Sequence, residues 1–573
     1  MKTKLLLSIL LLTSLYQVKA QDNKDLMKPR PADYEYLSAP DSLGVKHIYN
    51  IANRNTLSIQ NLPYPIIFIH GLNSNDKTWD AFKNSLINDF NLTFGGRIST
   101  CLDYDGSVYT SNTNFYNTSG ADIALYSTVN SINIGDFYMV NFDINNSNQY
   151  YPSDFSNNFS TKSSNQSAIV KQGAALKYII QMVLQKTGKN KVILMGHSMG
   201  GLASREYLQN ITNWQNDGLP HVAKLATTGT PHGGSDAIGG QVLGVNYNSE
   251  AIRDLKKLSI YLEGGFESSV SSSYFNSDVN CNGISNDGLY VTGLNQRNIF
   301  SDIDYSCVIG NGLSILGVGG DGAVTISSAN LNLANSGYSN LTQNIFSVFT
   351  THDNLTSNWY TLMQALDEPN NFNVAYGIDY NKLYYGFNSE QSTNWSYYPT
   401  DYDDYKFTVS NNSNVSISIN TLSTLNLYAR IVNNNQAQVG SIYSNNGTSN
   451  ISFTANNLIP GNYYLEIFGN PITNAICGYD FILNSALSTN NYDTNYSLNI
   501  FPNPTNSKVS FDNSKENFNQ VLIYNYLGQE VSKINLNLLS SNQEVDLSNL
   551  SNGVYILKFS NGEMTKSVKV IKQ

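Results

Sequence analysis

The first two thirds of the chain alternate short apolar runs with segments of helical periodicity. Apolar runs of four to seven residues, bounded by polar residues or glycine, occupy residues 65–69, 137–140, 192–195, 222–228 and 303–309. Strands that are covered on both faces have this continuous apolar character. The pattern predicts an α/β fold with a mostly parallel sheet.

A helical period is clearest between the second and third of these runs. Residues 168–186 carry side chains at steps of three and four that would share one helix face, namely Ile169, Gly173, Leu176, Ile180 and Val183. Such spacing predicts an amphipathic helix packed on the sheet.

The helical period disappears after residue 371. Residues 372–487 alternate apolar and polar positions at period two, with Asn-Gly and Pro-Gly turns, which predicts a β-sandwich. Residues 488–497 are rich in Asn, Ser and Thr and are expected to be a linker. Residues 498–573 repeat the strand pattern, so a second small all-β sandwich is expected there.

Length and composition agree with several domains outside the cell. The chain has 573 residues, too many for one core, and only 13% of them are charged, against about 25% in an average soluble protein. Its net charge of −10 offers no basic face for phosphates, so nucleic acid is not an expected partner.

The N-terminus has the pattern of a secretory signal peptide. Lys2 and Lys4 precede an apolar run at 5–15, and a small-residue cleavage pattern ends at Ala20. That run is too short to span a membrane, and no other segment reaches 18 apolar residues, so we expect an exported protein without a transmembrane span.

A nucleophile motif follows the third apolar run. Gly196, Ser198 and Gly200 form G-x-S-x-G, with a predicted strand before it and helical spacing after it. In this context a sharp turn presents the serine hydroxyl above the sheet edge. Ser198 is therefore the candidate nucleophile, and an ordinary turn serine is the alternative.

The base and the acid follow from chain order, which in α/β-hydrolases is serine, acid, histidine. His352 lies downstream of the last predicted strand, unlike the other five histidines, so it is the candidate base. Asp321 lies between that strand and His352 in a glycine-rich loop, and is the candidate acid that orients the imidazole. The two oxyanion donors are expected to be the N–H groups of Leu72 and Met199.

These segments resemble bacterial lipases of the α/β-hydrolase superfamily. The stretches that carry the resemblance are PIIFIHGLNSN, VILMGHSMGGLASREYL, TTGTPHGGS, AIRDL, DGAV and THDNL, over about residues 60–365. The resemblance implies hydrolysis of carboxylic esters, with Ser198, Asp321 and His352 on the triad positions and Leu72 and Met199 on the oxyanion positions. A long polar stretch at 330–344 departs from many relatives.

The two β-rich segments carry resemblances of their own. FPNPTNSKVSF, IYNYLGQEV, LSNGVYILKF and the ending KVIKQ resemble the C-terminal sorting domain of type IX secretion in Bacteroidetes. This implies recognition by that secretion machinery and export to the surface or medium. TDYDDYKFTV and GNYYLEIFG resemble pre-peptidase C-terminal domains. There Asp401, Asp403 and Asp404 are either calcium ligands or turn acids without metal.

A long insertion separates the strand at 222–228 from the strand at 303–309. Within residues 235–301, Ile252, Leu255, Leu258 and Leu262 are spaced for one helix, which is either part of a mobile lid or permanently packed. Cys281 and Cys307 are either a disulfide or two free thiols.

Together these features predict a secreted serine hydrolase, an α/β-hydrolase with a cap insertion followed by two small all-β sandwiches. The expected boundaries are signal 1–20, hydrolase 21–368, sandwich 372–487, linker 488–497 and sorting domain 498–573. A lipase acting on acyl esters is the first expectation. A short-chain carboxylesterase, phospholipase or polyester hydrolase, and a surface adhesin with a relic hydrolase domain, are alternatives. No metal or organic cofactor is expected.

Overall fold

A computed structural model describes most of the chain after residue 61. It covers residues 62–102, 123–125, 127–144, 148–150, 164–235, 249–270, 277–389, 401–421, 427–445, 449–469, 476–485 and 498–573, except 283, 316, 343, 515–516, 538–540 and 562–564. Two short strands, Tyr36–Leu37 and Ile48–Tyr49, are described as backbone. The predicted signal peptide and the predicted linker lie outside the described residues.

An eight-stranded sheet forms the centre of the first part. Its strands in chain order are β1 Ile66–Ile69, β2 Phe94–Leu102, β3 Ile123–Leu125, β4 Phe137–Asn141, β5 Val192–His197, β6 Val222–Thr228, β7 Asp304–Gly310 and β8 Asn344–Val348. Their order across the sheet is β8-β7-β6-β5-β1-β4-β2-β3, with β3 antiparallel and the other seven parallel. The predicted α/β-hydrolase fold class is confirmed.

Helices cover both faces of this sheet. They are α1 Asp80–Asn88, α2 Ile169–Thr187, α3 Met199–Gln209, α4 Glu250–Leu255, α5 Ile260–Glu263, α6 Ile326–Ala329 and α7 Trp359–Leu366. Ile66 and Phe68 of β1 belong to the core that contains α1 and α7, whereas Ile67 and Ile69 belong to the core that contains α2 and α3. Because alternate residues of one strand serve both cores, the strands are apolar throughout.

The structure differs from the predicted elements in several strands and in the insertion. β2 was not predicted, because its sequence FGGRISTCL contains two glycines and an arginine. β8 was not predicted either, because this short edge strand, NIFSV, is mostly half-buried and its apolar run is interrupted by Ser347. The single helix expected from Ile252 to Leu262 is wrong: α4 and α5 are separate, and Leu258 between them has φ +57° and is exposed.

The β-sandwich that follows consists of a five-stranded and a four-stranded sheet. Its strands are Tyr376–Gly377, Leu383–Ser389, Tyr402–Val409, Ser413–Thr421, Leu427–Asn433, Gln438–Ser444, Asn450–Leu458, Gly461–Gly469 and Ile476–Ser485. The sandwich core is continuous with one core of the hydrolase part. At their junction the rings of Tyr64 and Tyr376 meet edge to face at 5.1 Å, and the Tyr64 hydroxyl accepts from Gly377 N–H at 3.0 Å.

Residues 498–573, in their described part, belong to a compact unit distinct from the preceding domains. Its strands are Lys508–Asp512, Gln520–Asn525, Glu530–Asn535, Asn542–Asp546, Gly553–Ser560 and Thr565–Lys572, in a two-stranded and a four-stranded sheet around a core of its own. Among the described residues of the whole chain, no helix is long and apolar enough to cross a membrane.

Candidate active site

Ser198 lies at the turn between β5 and α3, as the motif predicts. Its backbone is at φ 53° and ψ −126°, in the left-handed region that side chains other than glycine rarely occupy. The Ser198 N–H donates to the carbonyl of Thr228 at 2.9 Å, which ties the turn to the neighbouring strand β6. The half-buried serine is thus held at the carboxyl edge of the sheet.

The glycine of the motif on the helix side is required by close packing. A Cβ atom on Gly200 would lie 2.5 Å from the carbonyl oxygen of Ile69 and 2.6 Å from that of His70. Only glycine therefore lets α3 start against the end of β1. This contact brings the loop after β1 next to the nucleophile turn.

Asp321 and His352 meet at the same edge of the sheet. His352 Nδ1–H donates to Asp321 Oδ2 at 2.8 Å, and Asp321 is 1% exposed. The other carboxylate oxygen, Oδ1, accepts from Ala323 N–H at 2.9 Å and Val324 N–H at 2.7 Å. Both oxygens are thus occupied, and a neutral His352 keeps its proton on Nδ1 and a lone pair on Nε2.

The route to these two residues differs from the expected one. A hairpin of Leu313–Ile315 and Val318–Gly320 lies between β7 and Asp321, and the unpredicted β8 directly precedes the His352 segment. Within the polar stretch at 330–344, Leu331–Leu333 and Ser336–Tyr338 form short helical turns, and Asp321 still meets His352.

His197 contacts the backbone of His352, which sequence reasoning missed. Its Nε2–H donates to the His352 carbonyl at 3.1 Å, and the two ring centroids are 4.8 Å apart. The His352 N–H donates to the Asp321 carbonyl at 2.9 Å, so both backbone polar groups of His352 are held. Burial lowers the pKa of His197 well below its usual value, which keeps the ring neutral.

His70 organises the loop after β1. Its Nδ1–H donates to the Gly71 carbonyl at 2.9 Å, while its Nε2 accepts from Phe142 N–H at 2.9 Å. Burial lowers the pKa of His70 to about 4, so the neutral tautomer with the proton on Nδ1 fits both contacts. A Cβ atom on Gly71 would lie 2.7 Å from Ser198 Cβ, so this loop passes directly against the nucleophile and leads into Leu72.

The remaining described histidines lie away from this constellation. His221 pairs with Asp217 at 2.7 Å on the surface. His232 is buried between Arg205 and Thr227, with contacts of 3.3 Å to each. His47 lies outside the described residues.

The insertion after β6 is tied to the hydrolase core in its described part. Lys171 of α2 and Glu250 of α4 form a fully buried ion pair at 2.8 Å, and the Glu250 and Asp254 carboxylates accept from the N–H groups of Ala168 and Ile169. These contacts favour permanent packing of α4 over a mobile lid. In the same layer, Cys281 and Cys307 are buried free thiols, so the disulfide alternative is wrong.

The sandwich acids do not lie in a turn. Asp403 and Asp404 belong to the strand Tyr402–Val409 and are buried, which corrects the turn interpretation. Possible ligand oxygens of Asp367, Glu368 and Asp403 lie within 4.8 Å of one another at the junction with the hydrolase part. Burial raises the pKa of Glu368 to about 8 and that of Asp403 well above its usual value. These are the described residues there that could hold a cation.

Three family models match parts of the chain. Residues 63–257 match a PGAP1-like alpha/beta domain, residues 401–469 a bacterial pre-peptidase C-terminal domain, and residues 499–573 a secretion system C-terminal sorting domain. The resemblances to an α/β-hydrolase and to a type IX sorting domain are thereby confirmed. A search of curated protein sequences gives no match.

Solved structures with similar folds include two bacterial enzymes. The propeptide form of the lipase BlEst2 from Bacillus licheniformis is 14% identical, with 95% of this chain and 97% of that chain covered, at a TM-score of 0.27. Phospholipase PlaB from Legionella pneumophila is 13% identical, with 47% and 46% covered, at a TM-score of 0.25. Scores this low carry no inference about activity.

Proposed function

We propose that the protein is a secreted serine hydrolase that cleaves carboxylic esters, with lipids or other acyl esters as substrates. The observation that carries this proposal is the Asp321–His352 hydrogen bond at the sheet edge where Ser198 sits in a left-handed turn. The hydrolase fold and the sorting tail are consistent with it. The catalytic part is assigned to residues 21–368.

In the proposed mechanism Ser198 Oγ attacks the ester carbonyl while His352 Nε2 takes its proton. Asp321 holds the imidazole in the required tautomer and stabilises the imidazolium that forms. Leu72 N–H and Met199 N–H donate hydrogen bonds to the developing oxyanion, and each such donor typically contributes about 10² to 10³ in kcat. His352 then protonates the leaving alcohol, and water hydrolyses the acyl-enzyme through the same groups.

Met199 and Leu72 suit this role for separate reasons. Met199 is the first residue of α3, and the N–H groups of the first helical turn have no partner within the helix and carry partial positive charge. Leu72 follows Gly71, whose carbonyl is fixed by His70 and whose Cα lies against Ser198. Both positions depend on backbone placement rather than on side-chain identity.

The ends of the chain provide the proposed route of export. The N-terminal segment would direct the chain across the inner membrane and be cleaved after Ala20, and the sorting domain would be recognised by the type IX machinery. The proposed partners are thus the ester substrate and that machinery.

A panel of p-nitrophenyl esters of increasing chain length, run on wild type and Ser198→Ala, tests the proposal. We expect hydrolysis by wild type and loss of kcat by about 10³ or more in the variant. Ser204→Ala is the matched control, because the Ser204 hydroxyl donates to Gly200 within α3. Unchanged hydrolysis in Ser198→Ala would exclude the mechanism and favour a binding protein. The longest chain accepted separates a lipase from a short-chain esterase.

A further inference from the structure

A loop in the insertion has the residue pattern of a calcium-binding loop. Residues 278–289 read DVNCNGISNDGL, with Asp278, Asn280 and Asn282 at positions 1, 3 and 5 and glycine at position 6. Calcium loops of this type use oxygen ligands from positions 1, 3, 5 and 7 and a glutamate at position 12. Position 12 here is Leu289, so the pattern alone is incomplete.

The structure places a glutamate beside the incomplete position. The two-residue strands Gly265–Phe266 and Tyr290–Val291 pair antiparallel, and the next residue, Glu267, donates its N–H to the carbonyl of Leu289 at 3.0 Å. Glu267 is therefore the direct neighbour of Leu289, at position 12, across this pair of strands.

The Glu267 carboxylate faces the loop and is incompletely satisfied. Its Oε1 accepts from Val279 N–H at 2.7 Å and Asn280 N–H at 2.9 Å, whereas its Oε2 is buried and has no hydrogen-bond partner. The residue is 0% exposed. An unpaired carboxylate oxygen at this depth is costly unless a cation or a proton compensates it.

The charges around Glu267 are negative. Burial raises the pKa of Glu267 to about 7, and the nearby Asp278 and Asp287 carboxylates raise it further. Asp287 reaches back to the loop, because its Oδ2 accepts from Asn282 Nδ2 at 2.7 Å. Arg253 donates to the Asp278 backbone carbonyl at 3.1 Å and also pairs with Asp254.

We infer that this loop and Glu267 form a Ca²⁺ site in the insertion of the hydrolase part. Asp278, Asn280, Asn282 and Asp287 supply side-chain oxygens, and Glu267 supplies the carboxylate that position 12 lacks. Calcium takes six to eight such oxygens, whereas Mg²⁺ demands a stricter octahedron. With only three carboxylates we expect affinity in the range of extracellular modules, a Kd of about 10⁻⁴ to 10⁻³ M.

Calorimetric titration of the EDTA-treated full chain with CaCl₂ tests the site, with MgCl₂ as the comparison cation. Glu267→Gln and the less buried Asp287→Asn should each weaken this Ca²⁺ binding about tenfold or more, and Mg²⁺ should bind at least about tenfold more weakly than Ca²⁺. Asp403→Asn, in the acidic cluster at the sandwich junction, is the matched control and should leave it unchanged.

Melting temperatures provide a second readout that separates ion binding from a folding defect. Wild type should gain thermal stability with Ca²⁺, whereas Glu267→Gln in EDTA should melt at or above wild type and gain none. If Glu267→Gln does not fold, Asp287→Asn decides. The inference is overturned if Ca²⁺ does not bind, if binding survives both substitutions, or if only Asp403→Asn abolishes it.

Discussion

The hydrogen bonds of Asp321 allow one substitution to test the tautomer that the proposed mechanism requires. In Asp321→Asn the amide can place its oxygen where Oδ1 now accepts from Ala323 and Val324, at 2.9 and 2.7 Å. The opposite orientation would set the NH₂ group against two N–H donors and leave them unpaired, at about 1–3 kcal/mol each. The first orientation is therefore strongly preferred.

That orientation directs the new amide N–H₂ at His352 Nδ1. The ring must then accept at Nδ1 and carry its proton on Nε2, so it can no longer take a proton from Ser198. Loss of the correct tautomer lowers kcat by about 10⁴, as in a well-studied serine protease. At about 1.36 kcal/mol per factor of ten, this corresponds to about 5.4 kcal/mol of transition-state stabilisation.

The assay is initial-rate hydrolysis of a p-nitrophenyl ester, with circular dichroism to verify folding. Asp217→Asn is the matched control, because Asp217 forms the other described Asp–His contact, with His221 at 2.7 Å on the surface. We expect kcat to fall only in Asp321→Asn, with KM little changed. A decrease of less than about tenfold, or an equal decrease in the control, would refute the tautomer argument.

Three further predictions concern the loop after β1, the insertion and the buried histidine. Gly71→Ala should lower kcat by about 10² or more, because the added Cβ displaces an oxyanion donor. Gly188→Ala is the control: its Cβ would meet open space, so kcat in the same ester assay should be unchanged and only stability should be affected. Lys171→Met should lower the free energy of unfolding, measured by urea denaturation, by about 3–5 kcal/mol, because it leaves the buried Glu250 carboxylate without its cationic partner. Adding Glu250→Gln should recover most of this loss. A loss below about 1 kcal/mol in Lys171→Met would contradict the prediction. Because the pKa of His70 is lowered to about 4, the folded state binds fewer protons than the unfolded state, so the free energy of unfolding should fall as pH decreases from about 6.5 towards 4. In His70→Gln the free energy of unfolding, measured by urea denaturation, should fall less steeply over this range, by up to about 1.4 kcal/mol per pH unit. A slope equal to that of wild type would count against burial of a neutral His70.

The residues brought together at the sheet edge could be proposed from sequence because their signals are local. Ser198 lies in a strand, turn and helix that are contiguous in the chain, and chain order then selects Asp321 and His352. The contact between His197 and the His352 carbonyl joins residues 155 positions apart, so no local pattern indicates it.

The insertion shows why other features could not be predicted. Apolar spacing is the same whether α4 and α5 are one helix or two, and the positive φ of Leu258 that separates them has no sequence signal in a leucine. β2 was missed because its glycines weaken the strand pattern, although one of them makes room for the Tyr138 ring. Similarly, Glu267 reaches the 278–289 loop only through tertiary pairing.

The left-handed backbone of Ser198 makes stability and activity oppose each other at one residue. A non-glycine residue held at φ 53° carries about 1–3 kcal/mol of strain, which the surrounding contacts must sustain. Glycine would relieve that strain, so selection for thermal robustness alone would favour Ser198→Gly. A laboratory selection that scores only resistance to heat is thus expected to drive this chain towards a well-folded, inactive form.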